Sequence, residues 1–387
     1  MPVGCYSVLY SAVYDQWASP VVACVALSLD AEVPTPPFEE SMELFSSATP
    51  APWIRPGLRL NSFLESASAL DTALFDVDGV LIDTSRSYRY AVAYASEHLV
   101  RVVNGLTEAP SPMVSEDDIA AFKMAGGFNS DWDATQLFAA LWTAKLREWR
   151  GQPEAQLSMQ DWAQRASAAA RERRGGLTWL RATVPASAIP DAETARWAHD
   201  EFYWGADLAR RLYQHEPRFA ADADGFVHNE AMLFTAELFT ELKEQGISKL
   251  GLITGRADAE VNWAVERLGA VCIPAHDPAH WHESEYGRSP FASIVSADTY
   301  AKPDPRALIH ALRTLDASAA LFVGDTADDL DLVLHYRQEA VAAGERKAPV
   351  LAVCIAYGEQ ARTYQERGAD IVLTQVGDLP AALASIR

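Results

Sequence analysis

Cysteine is scarce in this chain of 387 residues, and the four present (Cys5, Cys24, Cys272 and Cys354) show no paired spacing. Neither a disulfide framework nor a cysteine-built zinc site fits that scatter, which leaves reduced, buried thiols as the expectation. No lysine or arginine precedes Arg55, so the basic region of a secretory signal is missing. The apolar stretch at residues 21–29 is too short to span a membrane. Positive charge is in short supply: 32 basic residues stand against 53 acidic ones, a formal net charge of −21. Such a surface disfavours nucleic acid as a partner, and it repels phosphorylated ligands unless a cation and a few basic groups rescue the site locally. A cytoplasmic location without membrane association is the expectation.

What the chain does have begins at residues 73–83. A short apolar run, which reads as a buried strand, ends in Asp76, Val77, Asp78 and Gly79. In an extended backbone residues i and i+2 point the same way, so both carboxylates face one spot at the strand's carboxyl end. Gly79 lets the chain turn sharply there. Open α/β sheets place ligands at that edge, and two carboxylates so close need a cation or a shared proton to offset their repulsion.

Three further segments follow in order. Residues 250–256 form an apolar strand ending in Thr254, Gly255 and Arg256. Lys302-Pro303-Asp304-Pro305 sets a lysine just ahead of a helix, and residues 321–329 give a strand followed by Gly324, Asp325 and a second acid. With the segment carrying Asp76 and Asp78, these resemble in order and context the four motifs of the haloacid dehalogenase superfamily in its phosphatase form. The resemblance implies an α/β fold: a Rossmann-like parallel sheet core with a mostly helical cap domain inserted between the first and second motifs. It also implies a magnesium-dependent phosphatase that hydrolyses a small phosphorylated metabolite through an aspartyl-phosphate. A sugar or polyol phosphate is the first guess.

Residue by residue, the resemblance makes Asp76 the nucleophile and Asp78 the general acid and base. Thr254 would donate to the phosphoryl oxygens, and Lys302 would supply a fixed positive charge. Magnesium would be held by Asp76, Asp325, the main-chain carbonyl of Asp78 and the second acid, which by spacing is Asp329, with its neighbour Asp328 in reserve. An all-oxygen set suits magnesium. Superfamily members that cleave carbon–halogen bonds lack the second carboxylate, so Asp78 disfavours that reaction. A phosphomutase of the β-phosphoglucomutase type shares the motifs and is the main alternative. A retired scaffold serving as a binding or regulatory protein is another, disfavoured by the intact set.

The chain divides into three parts. Residues 1–69 precede the motifs and carry proline- and serine-rich loop signals; their role is unknown, and an ordered accessory is the expectation. Residues 70–84 and 225–387 alternate strand and helix, as a parallel sheet requires. Strands are expected at 247–254, 270–273, 294–295, 320–323, 350–355 and 371–373, with helices at 229–245 and 258–268. Residues 85–224 read as the helical cap. There Tyr88, Val92, Ala95, Leu99 and Val102 share one helix face, Ser115 starts another helix, residues 171–176 are a linker, and 191–215 are helical again.

Substrate choice is expected to lie at residues 123–133. Gly126 and Gly127 predict a flexible specificity loop, to which Lys123, Asn129, Asp131 and Trp132 contribute contacts; the plain alternative is an interhelical turn with Asp131 or Asp133 as a helix cap. Gly255 and Arg256, beside Thr254, are further candidate substrate contacts. Seven of the eleven tryptophans lie from Trp132 to Trp204, where helix packing explains them better than stacking on a sugar. His276, His280 and His282 match no zinc spacing and read as a polar loop.

Overall fold

The computed structural model describes residues 51–64, 69–128, 130–172, 174–272, 282–343 and 348–387. Within them seven strands form one sheet, in the order Trp53–Ile54, Ile371–Leu373, Val350–Ile355, Ala320–Gly324, Thr72–Phe75, Lys249–Ile253 and Phe291–Val295. All neighbours run parallel except Trp53–Ile54, an antiparallel edge strand that sets Trp53 against Val372 and Ile54 against Ile371. The central strands are buried along their whole length, because helices cover both faces of the sheet. Their side chains still divide by parity. Ala73, Phe75, Leu321 and Val323 pack with Leu238, Val261 and Leu379 on one face, while Leu74, Phe322 and Ala352 pack with Leu308, Leu330 and Tyr364 on the other. The expected α/β class with a Rossmann-like parallel sheet is therefore the one observed.

Register fixes what meets at the sheet edge. Phe75 lies opposite both Leu252 and Val323, so Asp76, Thr254 and Asp325 leave the sheet at the same carboxyl end.

Between the first two central strands the chain makes the helices Tyr88–His98, Glu116–Ala125, Asp131–Thr143, Met159–Arg171, Gly176–Thr183 and Ala192–Tyr213. They enclose an apolar cluster of their own, which includes Leu99, Phe122, Phe138, Trp162 and Leu180. Local chemistry starts three of these helices: Ser115 and Ser158 head capping boxes, and Asp191 accepts from the Thr194 N–H. Trp149 stacks on Trp162 with ring centroids 5.0 Å apart, and Trp162 meets Trp179 edge-on at 6.3 Å, so these rings are helix packing. The two segments that cross between this layer and the sheet pair with each other, Ile82 with Met232 and Asp83 with Ala231.

Three local expectations fail for physical reasons. Residues 229–245 are not one helix: Glu230 turns inward and Ala231–Met232 takes up the pairing with Ile82–Asp83, so the helix begins at Ala236 under a Thr235 cap. Residues 270–272 are not a strand, because the helix Asp258–Cys272 runs through Gly269, a helical glycine costing only about 1 kcal/mol. Val102 is 66% exposed instead of buried, since the chain passes into a π turn at Leu99–Val103 that breaks the 3.6-residue period. Ile273, His276 and His280 lie outside the described residues, as does all of 1–50. His282 stands exposed in the short strand His282–Ser284.

Candidate active site

The strand Thr72–Phe75 delivers Asp76, whose N–H donates to the Val323 carbonyl at 2.8 Å and whose Oδ1 accepts from the Val77 N–H at 2.7 Å. Its Oδ2 meets Lys302 Nζ at 2.8 Å, and the same ammonium meets Asp329 Oδ1 at 2.7 Å. The other oxygen of Asp329, Oδ2, accepts from the N–H groups of Asp325 and Thr326 and from the Thr326 hydroxyl. Both oxygens of Asp329 are thus engaged: it orients Lys302 and ties down the loop that carries Asp325. Asp325 Oδ1, by contrast, is buried with no hydrogen-bond partner. Gly79, at φ +72°, faces Asp325 so closely that any Cβ there would collide with the carboxylate.

Charge in this pocket is out of balance. Asp76, Asp325 and Asp329 gather around one lysine, while Asp78 has its own partner in Arg256. Burial pushes the Asp76 carboxyl well above its usual range; Lys302 opposes this, and Asp329, Asp325 and Asp78 add to it. Burial and then the Asp329 charge push Asp325 up to about 7. For Lys302, burial works against the charge, but Asp329 and Asp76 outweigh it and hold the ammonium above its usual range. A divalent cation relieves this kind of strain. One oxygen each of Asp76, Asp325 and Asp329 lie within 4.8 Å of one another, the orphaned Asp325 oxygen needs a partner, and every donor is a hard oxygen, so the residues fit magnesium. Asp328 is exposed and stands outside this group.

Thr254 is fully buried at the end of its strand, and its Oγ1 accepts from the Arg256 N–H at 3.1 Å. Gly255 is exposed with open space around it. Arg256 is 1% exposed and grips Asp78: Nε lies 3.0 and 3.2 Å from the two carboxylate oxygens, and Nη2 lies 2.7 Å from Oδ1. Nη2 also reaches Glu230 Oε1 at 3.2 Å, while Nη1 is buried without a partner. Glu230 in turn accepts from Ser87 Oγ at 3.1 Å, Tyr203 Oη at 2.7 Å and Arg267 Nη1 at 3.0 Å. Sequence reasoning missed Glu230, Arg267, Ser87 and Tyr203. The contact between Ser87 and Glu230 spans 143 positions, and no motif announces it.

The insertion residues behave differently. Lys123 pairs with Asp131 at 2.9 Å, and Trp132 Nε1 donates to Asp200 Oδ1 at 2.6 Å while Arg196 lies over its ring. These contacts run within the helical layer. Gly126 and Gly127 do not form an open loop. Gly127 crosses Gly176 backbone on backbone, and a Cβ on Gly127 would sit 2.5 Å from the Gly176 nitrogen. Ser130, not Asp131 or Asp133, caps the following helix, accepting from the Asp133 N–H at 3.4 Å. Asn129 lies outside the described residues.

The carboxyl edge of a parallel sheet thus gathers three carboxylates around a buried lysine, a set of oxygens that could hold a metal ion. The chain belongs to the haloacid dehalogenase-like hydrolases, whose family model matches residues 70–332. Among solved structures it is similar to the phosphatase Tt82 from Thermococcus thioreducens, at 21% identity and a TM-score of 0.50, covering 81% of this chain and 99% of that one. This likeness bears on the fold. CbbY from Rhodobacter sphaeroides in complex with phosphate (20% identity, TM-score 0.38, 80% and 96% covered) and a putative β-phosphoglucomutase from Thermotoga maritima (15%, 0.38, 82% and 100%) are more distant. No curated protein matches the chain significantly.

Proposed function

We propose that the protein is a magnesium-dependent phosphatase of a small phosphorylated metabolite, a sugar or polyol phosphate being the first class to try. One observation carries the reading: the sheet edge places Asp76 against a buried lysine and beside Asp325, whose inward oxygen has no partner. Asp76 and Asp325 would hold the magnesium, with the Asp78 carbonyl and Asp329 beside them. Once bound, the metal would neutralise charge on the phosphoryl group and on the carboxylates around it.

The chain's own groups then have distinct tasks. Lys302 and Thr254 would bind the phosphoryl oxygens and fix the phosphorus in line with an Asp76 oxygen. Asp76 attacks; the bond from phosphorus to the leaving oxygen breaks, and that oxygen takes a proton from Asp78. Water then attacks the aspartyl-phosphate, its proton passes to Asp78, and Asp76 is regenerated as phosphate leaves. The insertion at residues 85–224 would serve as a cap over this edge, hung on the crossing segments at Ile82–Asp83 and Ala231–Met232. Its separate apolar cluster supports treating it as a domain distinct from 70–84 and 225–387. Cys354, free and buried, fits a cytoplasmic location, and among the described residues no helix is long and apolar enough to cross a membrane.

The test is phosphate release from a panel of sugar, polyol and aryl phosphates, with magnesium and after chelation. Release that depends on magnesium and ranks the panel supports the reading. Isomerised product without release would replace it with a mutase, and metal-independent binding without turnover would make the chain a scaffold.

A further inference from the structure

We infer that Glu230, acting through Arg256, is a positioning residue for Asp78 and couples it to the segments on which the helical insertion hangs. This rests on the phosphatase reading above, which gives Glu230 no task. Its side chain is fully buried, an expensive place for a carboxylate unless it is matched on every side. It is so matched, and the donors come from four different places. Arg256 follows the strand Lys249–Ile253, and Arg267 lies on the helix Asp258–Cys272, binding the Glu230 carbonyl as well at 2.7 Å. Ser87 stands immediately before the helix Tyr88–His98, and Tyr203 sits on the helix Ala192–Tyr213. Two donors therefore belong to the sheet side and two to the insertion side.

Arg256 transmits this to the reacting edge. An arginine side chain is long, and an unbraced guanidinium would follow Asp78 wherever it turned. Braced by Glu230, it becomes a fixed fork that holds the Asp78 carboxylate by both oxygens. Glu230 also shares the guanidinium, so Asp78 does not face the whole positive charge. The step most dependent on this bracket is the second one. There the water oxygen bonds to phosphorus, the phosphorus–oxygen bond to Asp76 breaks, and the water proton must reach the Asp78 carboxylate.

The experiment uses p-nitrophenyl phosphate, whose leaving group departs without needing a proton, so the first step makes little demand on Asp78. In Glu230→Gln the inference predicts that kcat falls about tenfold and KM falls with it, leaving kcat/KM within about threefold of wild type. A burst of about one p-nitrophenol per enzyme then precedes slow turnover, because the aspartyl-phosphate accumulates. Tyr203→Phe, a milder change that keeps the carboxylate, should shift kcat and KM the same way by a smaller factor, and it decides the matter if Glu230→Gln does not fold. A fall in kcat with unchanged KM and no burst would overturn the inference and leave Glu230 a structural residue. Unaltered kinetics in both variants would overturn it too. A wild type that releases no phosphate from any monoester would instead sink the phosphatase reading, and this inference with it.

Discussion

Residues at the sheet edge were the most legible part of the chain. Asp76, Thr254 and Asp325 follow strand ends, Asp329 lies in the first turn of a helix and Lys302 in the loop before another, and the structure brings Asp76, Lys302, Asp325 and Asp329 together. Glu230 was not legible, because a single acid in a segment patterned like a helix carries no sign of a partner 143 positions away. Asp78→Asn keeps the shape but removes the proton acceptor, and should lower turnover by about a hundredfold or more, read as phosphate release at saturating substrate. Glu260 gives a second test. It accepts from Tyr213 Oη at 3.0 Å, and burial, opposed by Arg256 and aided by Asp200, raises it from 4.5 to about 7. A raised carboxyl favours the folded state while protonated, so its contribution is whole below about pH 4.5 and fades as pH climbs through about 7. Between about pH 5 and about pH 8 the wild type should lose about 2 kcal/mol of stability that Glu260→Gln does not, a figure already reduced for partial exposure. Denaturant unfolding at the two pH values checks this; parallel slopes would contradict it.

At the scale of elements, strands read well and crossings read poorly. Val350–Ile355 and Ile371–Leu373 lie where unbroken apolar runs put them, since strands buried on both faces need nothing subtler. The glycine pairs show the opposite. Gly126 and Gly127 read in one dimension as a flexible loop, but in space they press on Gly175 and Gly176, a contact that only the folded insertion creates. Gly127→Ala must open that crossing and hold an L residue at φ +88°, which should cost about 2–3 kcal/mol. Gly126→Ala shares the positive φ but meets nothing closer than Ala170 Cβ at 3.8 Å, so it should cost about 1 kcal/mol. Thermal unfolding of the two variants ranks them, and equal losses would contradict the packed crossing.

For the whole molecule, fold class followed from alternation of strand and helix, while the insertion's internal arrangement did not, because helical periodicity says which face is apolar but not which helix covers it. The net charge of −21 acts at this scale. Raising salt from about 10 mM to about 200 mM shortens the screening length, so KM for a dianionic monoester should fall; a KM that rises would show attraction instead. The central claim, that Asp76 takes the phosphoryl group, is tested most directly by acid-quenching the enzyme during turnover and weighing its peptides by mass spectrometry. One added phosphoryl group on the peptide carrying Asp76, absent from Asp76→Asn, is the predicted result. Full turnover by Asp76→Asn, or a phosphoryl group on another residue, would contradict it.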